Sequence, residues 1–144
     1  MMRQPVRLTL FSVEEATRVA LEIRPELVRL ARCNREFGQL EHRIEVLSLA
    51  VAGASPENPD VSDLERLVTR RDQLRGEIRS GIEAVQRRGV LLKDVAKGLV
   101  DFYALSGDRL IFLCWHMAEP EVGHWHTLEG GFANRQPLKT SERE

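Results

Sequence analysis

Arg109-Leu110-Ile111-Phe112-Leu113-Cys114-Trp115-His116, followed after a short loop by His124-Trp125-His126, is the stretch that decides the fold. The first run is β-branched and aromatic and follows Ser106-Gly107-Asp108, so it reads as a strand entered from a turn. Met117 to Gly123 contains Glu119-Pro120-Glu121, and proline, which has no N–H for a ladder, suits a loop. Gly123 to Leu128 then reads as a second short strand. A hairpin centred on Pro120 sets Trp115 opposite Trp125, Cys114 opposite His126 and His116 opposite His124. Side chains alternate across a strand, so one face carries both tryptophans and the other carries Cys114, His116, His124 and His126. A register slip of one residue would separate these sets, whereas a slip of two would keep them.

Upstream, the sequence is helical. Ser12-Val13-Glu14-Glu15 has the form of a capping box, in which Ser12 and Glu15 satisfy each other's backbone N–H. Ala16, Ile23, Leu30, Phe37, Ile44 and Val51 recur at heptad spacing, and Ala20, Leu27, Asn34, Leu40 and Leu47 widen the stripe. A helix to about Ala52 reaches roughly 60 Å. Pro25 removes the hydrogen bond to Leu21, which predicts a kink or two abutting helices. Gly53-Ala54-Ser55-Pro56-Glu57-Asn58-Pro59-Asp60 is a turn segment. A second helix starts between Pro59 and Ser62 and runs to Arg88, with Leu64, Leu67, Leu74, Ile78, Ile82 and Val85 on its apolar side and Gly89 just past its end. Two such stripes favour an antiparallel helical hairpin over residues 12–88.

Val90 to Asp94 and Leu99 to Ala104 read as further strands, and Val6 to Phe11 as a short one at the front. The Gly130–Pro137 segment is glycine-rich and then polar, and residues 139–144 are expected to be disordered. The fold class is therefore α+β: a long antiparallel helical hairpin, kinked at Pro25, with a small antiparallel β-sheet in the C-terminal half. One domain covers residues 1–138, which suits a chain of 144 residues.

A net charge of −1 supplies no field to recruit nucleic acid or an acidic membrane. The arginine-rich run from Arg66 to Arg88 could meet phosphates, but pairs such as Glu83–Arg87 make a solvated face the simpler reading. Two cysteines cannot build a disulfide framework, and the front of the chain lacks a signal-peptide pattern, so reduced thiols in a cytoplasmic protein are expected. No run is long and apolar enough to span a bilayer.

The order of these pieces resembles a bacterial family known as domain of unknown function 2203. The resemblance rests on Leu10-Phe11-Ser12-Val13-Glu14-Glu15-Ala16, Arg88-Gly89-Val90, Lys93-Asp94 and Gly98-Leu99-Val100-Asp101-Phe102. It continues through Leu113-Cys114-Trp115, Glu119-Pro120-Glu121, Trp125-His126 and Gly131-Phe132-Ala133-Asn134-Arg135-Gln136-Pro137, and so covers most of the chain. It implies no activity. The chain departs from the family pattern at His116, where arginine is commoner, and at His124, a variable position. That leaves Cys114, Glu119, Glu121, Asp101 and His126 as the stronger candidates.

Thiolate, imidazole and carboxylate converging on one hairpin could ligate zinc or another divalent metal. The spacing is not an established zinc pattern, and Cys114 alone could equally be a small buried hydrophobe. A Cys114/His126 nucleophile–base pair is a further option, though no oxyanion loop accompanies it. Asp94 and Asp101 could serve turns and strand ends or ligate metal. Glu119 and Glu121 read as an acidic turn unless the loop folds back over the histidines. Arg135 could hold an anion or clamp a carboxylate such as Asp101 or a glutamate. Two functional readings follow: a metal or small polar ligand site at the C-terminal hairpin, or a scaffold in which the helical hairpin forms a homodimer and the Cys/His cluster is structural. The sequence leaves open whether the protein is an enzyme.

Overall fold

The first helix starts where Ser12 caps it. Ser12 Oγ accepts the Glu15 N–H at 3.1 Å and Glu15 Oε1 accepts the Ser12 N–H at 3.4 Å. The computed structural model describes residues 8–139. Helix α1 spans Val13–Ala50 and α2 spans Pro59–Gln86. Asn58 Oδ1 caps α2 by accepting the Asp60 N–H at 2.9 Å, and Pro59 occupies the first turn, where no N–H is needed. Pro25 lies inside α1 and does not divide it into two helices. Leu21 and Pro25 are both exposed, so water can serve the carbonyl that the proline leaves without its usual donor.

Ion pairs across the hairpin show its direction. Arg70 meets Glu36, Arg71 meets Glu41 and Arg88 meets Glu22, so broadly the numbers rise along one helix as they fall along the other. Within α2, Arg66 and Arg75 pair with Asp63 and Asp72. Such exposed pairs contribute little each, about 0–1 kcal/mol. Toward the hairpin tip the contact is a small cluster of Cys33, Leu40 and Leu74 with Phe37, Leu67 and Ile78. Both cysteines are free and buried.

The sheet follows as β1 (Leu91–Asp94), β2 (Leu99–Ser106), β3 (Arg109–His116), β4 (His124–His126) and β5 (Gln136–Pro137), antiparallel and in sequential order. A left-handed Gly89, φ +87, turns the chain out of α2, and a side chain there would run into Thr9. One sheet face carries Val100, Phe102, Ala104, Ile111, Leu113 and Trp115. It packs on Ala16, Val19, Ala20, Ile23 and Leu27 of α1 to make the main core. The other face carries Asp101, Cys114, His124 and His126, turned away from that core.

Two sequence expectations need correction. The β3–β4 hairpin is centred on Glu119 and not on Pro120: Cys114 faces His124, Phe112 faces His126 and Leu113 faces Trp125. Cys114 therefore does not face His126, nor Trp115 Trp125. The slip is by two residues in pairing, so all the named histidines keep the face of Cys114. The turn is fixed by tertiary contacts on Glu119, whose carbonyl accepts from Trp115 Nε1 at 3.1 Å and from Arg24 of α1. Second, Leu8 to Phe11 forms no strand. It meets the sheet through the Phe11 N–H on Tyr103 O at 2.8 Å and the Phe11 ring on Phe102, and Val6 and Arg7 lie outside the described residues. The glycine-rich segment, given no element from the sequence, holds a 3-10 turn at Phe132–Asn134 that leads into β5, and Leu138 is buried with its N–H on Gly123 O at 2.9 Å. The expected disorder after Leu138 concerns residues that, apart from Lys139, lie outside the described ones.

Candidate metal centre

Strands β2, β3 and β4 bring Asp101, Cys114 and His126 together. Asp101 and Cys114 are cross-strand partners, and His126 arrives from β4 one pair further along. One donor atom from each lies within 4.8 Å of the other two, and all three residues are buried. His126 Nε2 is 3.1 Å from Asp101 Oδ1, with the two side chains 3% and 4% exposed. Charge held this far from water needs close compensation.

The second ring nitrogen has two neighbours that call for opposite tautomers. His126 Nδ1 lies 2.7 Å from Thr127 O and 3.2 Å from Gly131 N. A 2.7 Å approach between a ring nitrogen and a carbonyl oxygen is repulsive without a proton between them, so Nδ1–H donates to Thr127 and the Gly131 amide is the weaker neighbour. Nε2 then faces the Asp101 carboxylate, and something positive must sit between two electron-rich atoms: a proton or a metal ion. Since both ring nitrogens are occupied, His126 has none left to serve as general base toward a ligand. Cys114 is equally unsuited to nucleophilic work. Burial, reinforced by the Asp101 carboxylate and only partly opposed by Arg135, pushes its thiol up to about 12.

Next to this trio is a second polar group organised by Glu119. Its carboxylate takes Arg135 as a two-pronged partner, at 2.7 and 3.1 Å, and accepts the His116 N–H at 3.1 Å. His124 Nδ1 lies 3.2 Å and His116 Nε2 3.5 Å from the same carboxylate. His124 Nδ1 is buried without an aligned hydrogen bond there, so the first contact is electrostatic proximity. Burial works against ionisation of Glu119, but the Arg135 guanidinium and the His116 amide outweigh it and hold the group below the ordinary carboxylate range. Arg135 also reaches Cys114 Sγ at 4.0 Å, which links the two groups.

Of the residues singled out by sequence, Asp101, Cys114 and His126 form the candidate centre. His116, His124, Glu119 and Arg135 form the neighbouring network, with Arg135 clamping Glu119 and not Asp101. Glu121 joins neither group: it is exposed and lines a shallow cleft with Val13, Glu14, Thr17 and Val122 beside α1. Sequence reasoning missed the cover over the trio. A cleft of about 260 Å³ reaches Asp101 and His126 between Leu99, Phe112, Leu128 and Phe132, with Lys93 and Glu129 at its mouth. The available signal was Gly130-Gly131-Phe132: Gly131 adopts φ +74, which swings the chain back over the sheet face.

The Glu119 network gives a testable pH dependence. Its carboxylate is depressed in the folded state, so its stabilisation is present above the unfolded carboxylate range, near pH 4.3, and is lost as pH falls through the folded value. Glu119→Gln should therefore cost about 1–3 kcal/mol in urea unfolding near neutrality. The gap to the parent should narrow in acid. An equal gap at both pH values would mean that the ionised form plays no part.

Among the described residues no helix is long and apolar enough to cross a membrane. No curated protein and no solved structure matches the chain. The family model described as uncharacterized conserved protein (DUF2203) matches residues 9–138, nearly the whole chain, and the protein belongs to that family.

Proposed function

We propose that the protein binds one divalent metal ion, zinc being the best suited, through Asp101, Cys114 and His126. The observation that carries this reading is the direction of His126. Its Nδ1–H is spent on Thr127 O, which aims the Nε2 lone pair at a buried carboxylate and thiol. A backbone carbonyl behind a ligating histidine is the usual orienting partner of such sites. Thiolate, imidazole and carboxylate together suit zinc better than magnesium or calcium, which take oxygen ligands. Donors as far apart as 4.8 Å must draw together on binding, because tetrahedral ligands about 2.0–2.3 Å from zinc lie less than about 4 Å apart. Asp101 and His126 line the cleft and Cys114 does not, so Cys114 closes the far side and the fourth position faces the opening.

Chelator competition on untagged protein tests the proposal. One zinc per chain is expected. Cys114→Ser and His126→Ala should each weaken binding by about a hundredfold or more, whereas His116→Ala should change it by less than about threefold. A parent protein with no stoichiometric zinc leaves the trio structural, with His126 hydrogen-bonded to Asp101 beside a buried thiol.

A second reading, self-association through the helical hairpin, has its own observation. Val46 and Leu49, near the C-terminal end of α1, are 54% and 78% exposed. A homodimer covering them would bury apolar surface that α2 leaves exposed. Leu49→Asp should then convert a dimer to a monomer in light scattering without loss of helix. A monomer mass for the parent across micromolar concentrations ends this reading.

A further inference from the structure

The cleft above the candidate metal centre has a composition of its own. Leu99, Phe112, Leu128 and Phe132 give it apolar walls, and its floor is the Asp101–His126 pair. Cations gather at its edge: the Lys93 ammonium lies 5.3 Å from the Phe112 ring centre and that of Lys97 5.5 Å from Phe132. Arg135 also stands over Phe132, at 4.6 Å, but its charge is matched by Glu119. Glu129 is the one acidic residue on the cleft wall above the floor, and it is exposed. With the metal bound, the dication is offset by the Asp101 carboxylate and the Cys114 thiolate. Of the lining charges above the floor, Lys93 then balances Glu129, and Lys97, outside the lining, stands next to Asp94, so an anion is drawn chiefly by the open metal position with Lys93 beside it.

Resting on the metal reading above, we infer that the cleft binds a small organic monocarboxylate, its carboxylate on the open metal position and its apolar body between Phe112 and Phe132. A volume of about 260 Å³ is below that of drug-sized ligand sites and suits one ring or a short acyl chain, not a nucleotide. The walls offer such a body little but contact and desolvation, so the anion supplies orientation and the apolar part supplies affinity. Lys93 acts at the mouth, where it steers the anion inward and meets it at longer range than the metal does.

The test uses the full chain loaded with cobalt(II), whose visible bands report changes at the metal, and benzoate and acetate as probes. Benzoate is expected to shift the bands at concentrations at least about tenfold below those acetate requires, because only benzoate fills the aromatic slot. Phe132 is exposed, so Phe132→Ala should fold normally; it should weaken benzoate by about tenfold and leave acetate unchanged. Lys93→Glu should weaken both by about tenfold while cobalt affinity stays within about twofold. Cobalt bound with bands that benzoate does not move overturns the ligand assignment alone. Equal action of benzoate and acetate, or variants that both match the parent, overturns it in the same way. Failure of the parent to bind cobalt overturns the metal reading and this inference with it.

Discussion

Replacing Asp101 with alanine should lower the stability of the metal-free protein by about 1–3 kcal/mol, because the buried His126 ring would lose its hydrogen-bond partner. Asp101 and the imidazole it faces are almost wholly buried, 3.1 Å apart, on the sheet face away from the main core. Removing the carboxylate leaves His126 Nε2 with no partner among the described residues, while Nδ1 stays committed to Thr127 O. Urea unfolding of the metal-free variant measures the loss. Asp108→Ala, at an exposed turn, is the control and should stay within about 0.5 kcal/mol of the parent. If Asp101→Ala matched that control, the Asp101–His126 contact would contribute nothing to stability.

Zinc affinity should fall steeply in mild acid. Burial and the neighbouring Asp101 push the Cys114 thiol up to about 12, so at neutral pH it is protonated and must release that proton to ligate. The sign follows directly: as pH falls, protons compete more effectively for the sulfur and the metal is released. Zinc displaces both the Cys114 proton and the proton held between His126 Nε2 and Asp101, so affinity falls by up to about a hundredfold per pH unit where the metal-free protein holds both. Chelator competition between about pH 6 and 8 measures the slope, and Cys114→Ser should lower it by about tenfold per pH unit. A slope that Cys114→Ser leaves unchanged would mean that Cys114 is not a ligand.

Features set by local chemistry were legible in the sequence. The Ser12–Glu15 cap, the Asn58–Pro59 entry to α2, the Gly89 exit and the alternation that gathers Cys114 with three histidines all depend on residues close along the chain. Features set by distant contacts were not. The β3–β4 turn centres on Glu119 because Arg24, far back on α1, and the Trp115 indole both donate to its carbonyl. Arg135 binds Glu119 in preference to Asp101 because β5 pairs with β4, a pairing hidden in a segment that reads as glycine-rich tail. Asp101 was named as a candidate, but its partner depended on the register of three strands at once. Pro25 carried a strong local signal for a break, yet the helix passes through it where the affected turn reaches water.

X-ray absorption at the zinc edge of the loaded, untagged protein reads the ligand atoms themselves. The proposed ligand set predicts one sulfur at about 2.3 Å together with nitrogen and oxygen neighbours at about 2.0–2.2 Å, the sulfur being lost in Cys114→Ser. A spectrum with nitrogen and oxygen alone, or one that Cys114→Ser leaves unchanged, would contradict a metal centre built from Asp101, Cys114 and His126.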